Sequence, residues 1–213
     1  MKKIIISSVI ILATLFSFAG EEEYMQAMEK NLQEMAQAKT AADFQAIANS
    51  FERIAEAEGD QWLPYYYVSY SYLNYIFAGD ATDDIDMILD KAEAYLEKAR
   101  VLSPENDEIE VLQGWIYQGR IQADPMGRGQ LYSQKADVSF GKAKNINPNN
   151  PRIYFLIGQN VYHTPEMFGG GQKAACPYFK EAEDKFGSFT PETSISPNWG
   201  REYNHKFAAS CDL

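Results

Sequence analysis

The sequence predicts an all-α protein built from helical hairpins, and two observations lead to this fold class. Apolar residues recur every three or four positions along most of the chain, as on one face of a helix, whereas strand signals are weak. A sparse pattern with steps of four, three and five residues also returns along the chain, and such self-similarity is typical of solenoids. Its copies are Ala92, Leu96, Ala99 and Pro104, then Ala136, Phe140, Ala143 and Pro148, and finally Ala175, Phe179 and Ala182 without a closing proline.

Local signals place the first two helices. A first helix is predicted over about 21–38, and a second helix is predicted to end at Gly59. Thr40 with Asp43 three residues later is close to a capping box, which marks the start of the second helix. Their apolar stripes are Met25, Met28, Leu32 and Met35 in the first helix, and Phe44, Ile47, Phe51 and Ile54 in the second.

The remaining helices are predicted in the same way. Their ranges are 61–77, 83–102, 106–121, 130–146, 151–162 and 172–186. Ser196 and Pro197 form a start signal for one more helix, because a capping residue precedes a proline in the first turn. The sequence therefore predicts four helical hairpins and a closing helix.

The repeated pattern matches the second half of the tetratricopeptide motif, A-x3-F…P, in which small residues let two helices approach closely. The first half follows in register, with Gly114 and Tyr117 in one repeat and Tyr154, Ile157 and Gly158 in the next. The chain thus resembles the tetratricopeptide repeat (TPR) family over roughly 41–186. The resemblance implies a right-handed solenoid of about four hairpins over 20–186, followed by a C-terminal loop and capping helix over 187–213.

Residues 1–19 are predicted to be a secretory signal peptide. Lys2 and Lys3 precede an apolar run over 4–18, and Ser17 and Ala19 are small residues at the two positions that a signal peptidase reads. The run is shorter than the roughly 20 residues of a membrane-spanning helix. We therefore expect a periplasmic or extracellular protein, with no stable membrane insertion after cleavage.

The TPR resemblance also implies which side chains face the concave groove, because the first helix of each hairpin lines it. The groove positions of this sequence combine aromatic rings with amides, a composition that peptide grooves use. The alternative is that many of these rings are core residues, since 14% of the chain is aromatic. The expected groove residues are Tyr66, Tyr70, Asn74, Trp115, Gln118, Phe155, Gln159, Tyr162 and His163.

Two glycine-containing insertions, at 124–129 and 164–171, lengthen the repeats beyond the 34-residue TPR period. Both fall between the two helices of a hairpin, where repeated insertions map to one edge that often binds. The alternative is that their glycines only let the chain turn. The candidate loop residues are Pro125, Arg128, Gly129, Pro165, Phe168 and Gly169.

Cys176 and Cys211 are the only cysteines, and export places them in an oxidising compartment. Trp199, Tyr203, Phe207 and Cys211 are spaced by four, so they share one face of the predicted last helix. That face is expected to cover the last repeat, and an antiparallel last helix returns Cys211 to the start of the preceding helix. We predict a disulfide between the two cysteines.

Composition excludes several classes of function. The mature chain carries 17 Lys and Arg residues against 30 Asp and Glu, so nucleic acid is a poor partner. We expect no metal site, no cofactor and no enzymatic activity, because His163 and His205 lie in no ligand motif and no nucleophile is placed beside them.

The function we expect is that of an exported scaffold or adaptor, which binds a protein or peptide through the concave groove and the inserted loops. The alternative is a small-ligand or glycan-binding module that uses the tyrosine-rich hairpin over 61–77. An open trough favours a peptide, and a closed pocket with convergent polar groups favours a small ligand. The sequence leaves open whether the groove is free or filled by the C-terminal segment of the protein.

Overall fold

The computed structural model describes residues 3–79, 81 and 84–211, with side chains from Gly20 onward in those ranges. The side chains of the predicted leader over 1–19 therefore lie outside the described part, as does the predicted start of a helix at Asp83. The described helices are α1 (Lys3–Gln37), α2 (Ala41–Glu58), α3 (Trp62–Phe77), α4 (Ile85–Leu102), α5 (Asp107–Ala123), α6 (Pro125–Ile146), α7 (Pro151–His163), a short 3-10 helix η1 (Glu166–Phe168), α8 (Gln172–Ser188) and α9 (Arg201–Ser210).

The helices pack as successive hairpins, and the prediction of an all-α hairpin solenoid is confirmed. Helices α1 and α2, α3 and α4, α5 and α6, and α7 and α8 form the pairs, and α9 packs on α8. Helices α3, α5 and α7 also contact one another in order, so the first helices of the last three hairpins form one continuous layer. No helix in the described part is long and apolar enough to cross a membrane.

The repeat residues lie where the two helices of a hairpin approach most closely. The alanines of all three copies are completely buried. Gly114 on α5 lies against the ring of Phe140, and Gly158 on α7 lies against the ring of Phe179. The motif is therefore a packing device, in which an aromatic ring from the second helix fills the space left by a glycine on the first.

We expect Gly114→Ala to lower the free energy of unfolding by about 1–3 kcal/mol, the usual cost of overpacking. A Cβ at this position would lie 2.2 Å from Cε1 of Phe140, which is fully buried and cannot move aside. Gly141→Ala on the exposed face of α6 is the matched control, since nothing lies within 4 Å of its added Cβ. That change should raise stability by about 0.5–1 kcal/mol in urea unfolding, through helix propensity alone.

A second substitution tests the same contact. In the first copy of the motif, Ser69 and Leu96 stand at the positions of Gly114 and Phe140, so a residue with a Cβ is matched by a side chain without a ring. Phe140→Leu should therefore recover part of the stability lost in Gly114→Ala. Equal effects of Gly114→Ala and Gly141→Ala would show that the ring contact does not constrain this position.

The predicted start of α2 is confirmed in detail. Thr40 Oγ1 accepts the N–H of Asp43 at 3.2 Å, and Asp43 Oδ2 accepts the N–H of Thr40 at 3.0 Å. Asp43 Oδ2 also accepts the N–H of Lys39 at 3.1 Å. These backbone donors lower the pKa of the Asp43 carboxyl. Aspartate thus completes a capping box in which glutamate is the usual partner.

Two predictions of secondary structure are wrong. The segment 124–129 is not a loop, because α6 begins at Pro125 and Asp124 Oδ1 caps it by accepting the N–H of Gly127 at 3.0 Å. The last helix does not begin at Ser196, since α9 starts at Arg201 after Gly200, whose φ is +97°. The second insertion does form a loop, which contains η1 and turns at Gly169 with φ +85°.

Candidate functional site

A segment of the C-terminal region crosses the concave layer formed by α3, α5 and α7. We call residues 189–200, between α8 and α9, the strap. Ser194 Oγ of the strap donates to Glu29 Oε1 on α1 at 2.6 Å, and the hydroxyl of Tyr67 on α3 donates to the carbonyl of Ile195 at 2.8 Å. The strap therefore runs from the last hairpin back to the first, and it fills the middle of the groove.

The strap is not helical because its polar groups are satisfied in a turn. Ser196 Oγ accepts the N–H of Thr193 at 3.1 Å, and the N–H of Ser196 reaches the carbonyl of Thr193 at 3.2 Å. Ile195 and Pro197 are buried beneath it. Ser196 thus closes a local turn instead of capping a helix, and Trp199 is left outside α9.

A buried ion pair between Glu108 and Arg152 lies beneath the strap and contacts it. The Nε of Arg152 on α7 donates to both carboxylate oxygens of Glu108 on α5, at 3.0 and 2.9 Å, and Nη2 donates to the same carboxylate. Arg152 is 1% exposed. Its guanidinium lies 4.5 Å from the ring centre of Phe189 and 5.7 Å from that of Trp199, the two ends of the strap. Arg152 therefore joins two repeats and the strap at one point.

The surroundings of this pair are polar and buried. Asn150 Nδ2 donates to Glu108 Oε1 at 2.7 Å, and the indole N–H of Trp199 donates to the Tyr66 hydroxyl at 2.8 Å. Burial raises the pKa of Glu108, against the attraction of Arg152. Burial also raises the pKa of the Tyr66 and Tyr70 hydroxyls, so both rings stay neutral.

Beside the strap, the concave side keeps a cleft of about 820 Å³. One wall is a shelf of rings: Trp115 stacks on Trp199 with centroids 5.1 Å apart, and Phe77 stacks on the same Trp115 at 5.4 Å. The other aromatic group includes Phe155 and Phe207, with centroids 6.4 Å apart. Flat apolar surfaces thus dominate the cleft.

The polar lining of the cleft consists mainly of amide side chains. The described lining residues include five amide side chains and His163, but no Asp or Glu. Lys39 is the one lysine or arginine among them. Gln118 Nε2 donates to the Leu156 carbonyl at 2.7 Å and Asn160 Nδ2 donates to Asp137 at 3.0 Å, whereas Gln122 and Gln159 have no such bond in the described structure.

The structure places most of the predicted groove residues around this cleft. Tyr66 does not line it, because its ring is fully buried under the strap. Tyr162 also lies outside the lining and packs edge-on against Phe207 at 5.3 Å. The predicted residues that do line the cleft are Tyr70, Asn74, Trp115, Gln118, Phe155, Gln159 and His163.

The inserted segments contribute little to the cleft. Pro125 lines it, but Arg128 instead binds both oxygens of Asp86 on α4, at 2.8 and 2.7 Å. Gly129, Pro165, Phe168 and Gly169 lie outside the lining. Phe168 is 72% exposed, so its ring contributes to the outer surface of the protein.

The sequence reasoning missed the residues that the strap and α9 bring in. Trp199, Tyr203 and Phe207 line the cleft, and so do Lys39 and Phe77 from turns and helix ends. The four-residue spacing of Trp199, Tyr203 and Phe207 was the available signal. It was interpreted as the face that covers the last repeat, and Phe207 does pack there, on Phe179 at 4.8 Å.

The predicted disulfide is confirmed: Cys176 on α8 is bonded to Cys211, and their Cα atoms are 5.6 Å apart. No free cysteine is found in the described structure. Nor does that part of the chain bring together three His, Cys, Asp or Glu side chains that could hold a metal ion.

Comparisons with known proteins identify solved structures with a similar arrangement of helices. No protein-family model and no curated protein sequence matches the chain. Among solved structures, the chain is similar to the HusA haemophore from Porphyromonas gingivalis, with 28% identity and a TM-score of 0.79, over 88% of this chain and 92% of that one. A thermophilic TPR protein from Thermus thermophilus matches with 15% identity and a TM-score of 0.58, over 88% and 89% of the two chains. The chain therefore has a TPR-like helical fold.

Proposed function

We propose that the chain is an exported binding protein whose cleft holds a haem-type tetrapyrrole. The observation that carries the proposal is the cleft, a space of about 820 Å³ walled by stacked rings. Its volume falls within the roughly 300–1,000 Å³ of small-molecule sites. Trp and Phe rings stack favourably on a flat aromatic ligand. Similarity to a haemophore over most of both chains supports the same ligand class.

The shape of the concave face favours a small ligand over a peptide. A peptide in a TPR groove needs a continuous trough, and the strap occupies that trough between Glu29 and Trp199. What remains is bounded by the strap, by the ends of α3, α5 and α7, and by α9. A bounded cleft of this kind suits a compact ligand better than an extended chain.

We also propose that the role is binding without catalysis, in an extracytoplasmic space. The described lining has no Ser, Thr, Cys, Asp or Glu that would supply a nucleophile or a carboxylate acid. The leader-like sequence over 1–19 and the Cys176–Cys211 disulfide support export, as does the similarity to a haemophore.

We expect haemin to quench most of the tryptophan fluorescence on titration, because two of the three tryptophans, Trp115 and Trp199, line the cleft. Phe77→Ala should weaken haemin binding by about three- to tenfold, the scale of one lost aromatic contact. Phe77 is 40% exposed and stacks on Trp115, so its loss should leave the melting temperature nearly unchanged. Fluorescence and absorbance titrations measure both affinities.

Phe168→Ala is the matched control, since it removes an even more exposed phenyl ring that does not line the cleft. Haemin adheres to exposed apolar surface without specificity, and this variant should bind it as the wild type does. Equal weakening in both variants, or no quenching of the wild-type protein, would contradict the proposal.

A protein partner is a second candidate, and the edge of the solenoid favours it. Met126 at the start of α6 and Met167 and Phe168 in the α7–α8 connection are 97%, 83% and 72% exposed. Met126 follows the α5–α6 junction directly, and in a solenoid the junctions between the two helices of each hairpin lie on one edge. If a partner docks there, Met126→Asp with Phe168→Asp should abolish its co-purification from envelope extract, with haemin binding unchanged. If this variant still retained the partner, the edge would be excluded as the docking surface.

A further inference from the structure

The charge of the cleft differs from that of the chain as a whole. The chain has 30 Asp and Glu residues against 19 Lys and Arg. Nevertheless, no acidic side chain is among the described lining residues, and a lysine is. Because acidic side chains outnumber basic ones over the chain, their absence from the described walls favours an anionic group in the cleft.

The cation of the cleft is Lys39, in the turn between α1 and α2. It lines the cleft together with Phe44 from the first turn of α2 and Phe77 from the last turn of α3. The nearest carboxylate in sequence, Asp43, is engaged by the N–H groups of Lys39 and Thr40. The ammonium group of Lys39 takes part in no ion pair within the described structure, and it is therefore available to a ligand.

The C-terminal ends of three helices line the cleft and disfavour an anion there, so the positive charge of Lys39 matters more. The last turns of α3, α5 and α7 contribute Phe77, Gln122 and His163 to the lining. The C-terminus of a helix carries a partial negative charge of about half an elementary charge, which disfavours an anion. A carboxylate in this cleft therefore requires a compensating cation, and Lys39 supplies it.

We propose, on the basis of the haem-type ligand proposed above, that Lys39 is a specificity-determining residue that binds a carboxylate at the edge of the ligand. Haem carries its two carboxylates on one edge of an otherwise apolar disc. The disc then lies with that edge toward the α1–α2 turn, and with its apolar part against the shelf of Trp115 and Trp199. The ligand class is a flat aromatic macrocycle with an acidic edge.

Haemin and haemin dimethyl ester test the proposal, because they share the disc and differ in the carboxylates. The wild-type protein should bind haemin about three- to tenfold more tightly than the diester, as one charge-assisted contact in a partly exposed site provides. Lys39→Gln should bind both equally, and Lys39→Arg should keep the preference. Raising the salt concentration should weaken binding of haemin and leave the diester unaffected.

Lys142→Gln, an exposed position on α6 outside the cleft, makes the same change in net charge and should behave as the wild type. Equal loss of haemin affinity in Lys142→Gln and Lys39→Gln would overturn the role of Lys39 in favour of overall charge. Equal affinity of the wild type for haemin and its diester would also overturn it, while leaving the haem site in place. If neither compound binds, the proposed function itself fails.

Discussion

Glu108→Gln should lower the free energy of unfolding by about 3–5 kcal/mol, which is the cost of leaving one partner of a buried ion pair without its counter-charge. Arg152 is 1% exposed and its guanidinium donates to Glu108 through two nitrogens. Arginine cannot release its proton, so the variant would bury an uncompensated cation. Chemical denaturation of the two proteins at about pH 7 measures the loss.

The reverse substitution, Arg152→Met, should respond to pH in a way that Glu108→Gln does not. Burial raises the pKa of Glu108 and the charge of Arg152 opposes this rise, so the pKa should rise further when Arg152 is removed. A carboxyl whose pKa is higher in the folded than in the unfolded state favours folding at low pH, and this contribution disappears as the pH rises through the folded pKa. Arg152→Met should therefore lose stability between about pH 5 and about pH 7, whereas Glu108→Gln has no carboxyl at this position and should show no such loss.

Glu105→Gln is the control, because Glu105 is exposed just before α5 and the change should stay within about 0.5 kcal/mol. Trp199 fluorescence should also change in both pair variants, since Arg152 contacts the rings at the two ends of the strap. A loss below about 1 kcal/mol in Glu108→Gln would show that the pair does not hold the strap in place.

The sequence predicted the scaffold because the scaffold is built from short-range patterns. Ala136, Phe140 and Ala143 are spaced to face the preceding helix, and Gly114 lies where the ring of Phe140 needs space. Each of these contacts joins neighbouring helices of one hairpin. The capping box at Thr40 is local in the same sense, since both of its hydrogen bonds lie within four residues.

The cleft was predicted only in part because the strap comes from far along the chain. The hydrogen bond from Trp199 to Tyr66 joins residues 133 positions apart, and no local periodicity encodes it. Ser196 and Pro197 have the form of a helix start, but the Ser196 hydroxyl is engaged by the N–H of Thr193. Burial of Ile195, whose carbonyl accepts the Tyr67 hydroxyl, then holds this turn against α3 and overrides the local preference for a helix.

The first insertion was misinterpreted for a different reason. Asp124 followed by Pro125 is itself a helix start, with a capping carboxylate and a proline at the first position. Glycines at 127 and 129 favoured a loop, yet Gly127 is required by the cap: a Cβ there would lie 2.3 Å from Oδ2 of Asp124. The glycine therefore marks close packing against the capping side chain, within the first turn of a longer helix.

Removing the disulfide is expected to have the second large effect on stability. Replacing Cys176 and Cys211 by alanine should lower the free energy of unfolding by about 3–4 kcal/mol on the chain-entropy model, for cysteines 35 positions apart. The loop that the bridge closes contains most of α8, the strap and all of α9. Reduction by dithiothreitol should reproduce the loss in the wild type, because the described structure has no other cysteine to react.

The same variant separates covalent from non-covalent anchoring of the cleft. Without the bridge, α9 keeps the hydrogen bonds of Asn204 Nδ2 to the Phe179 carbonyl at 3.0 Å and to Glu183 at 2.9 Å. If these hydrogen bonds are enough to hold α9 in place, the free energy of unfolding will change by less than about 1 kcal/mol and the affinity for haemin will not change. If the bridge is needed, affinity should fall together with stability, because Trp199, Tyr203 and Phe207 all lie within the closed loop and form one side of the cleft. Dithiothreitol added to the double variant should then change neither quantity, which assigns the whole effect to the bond between Cys176 and Cys211.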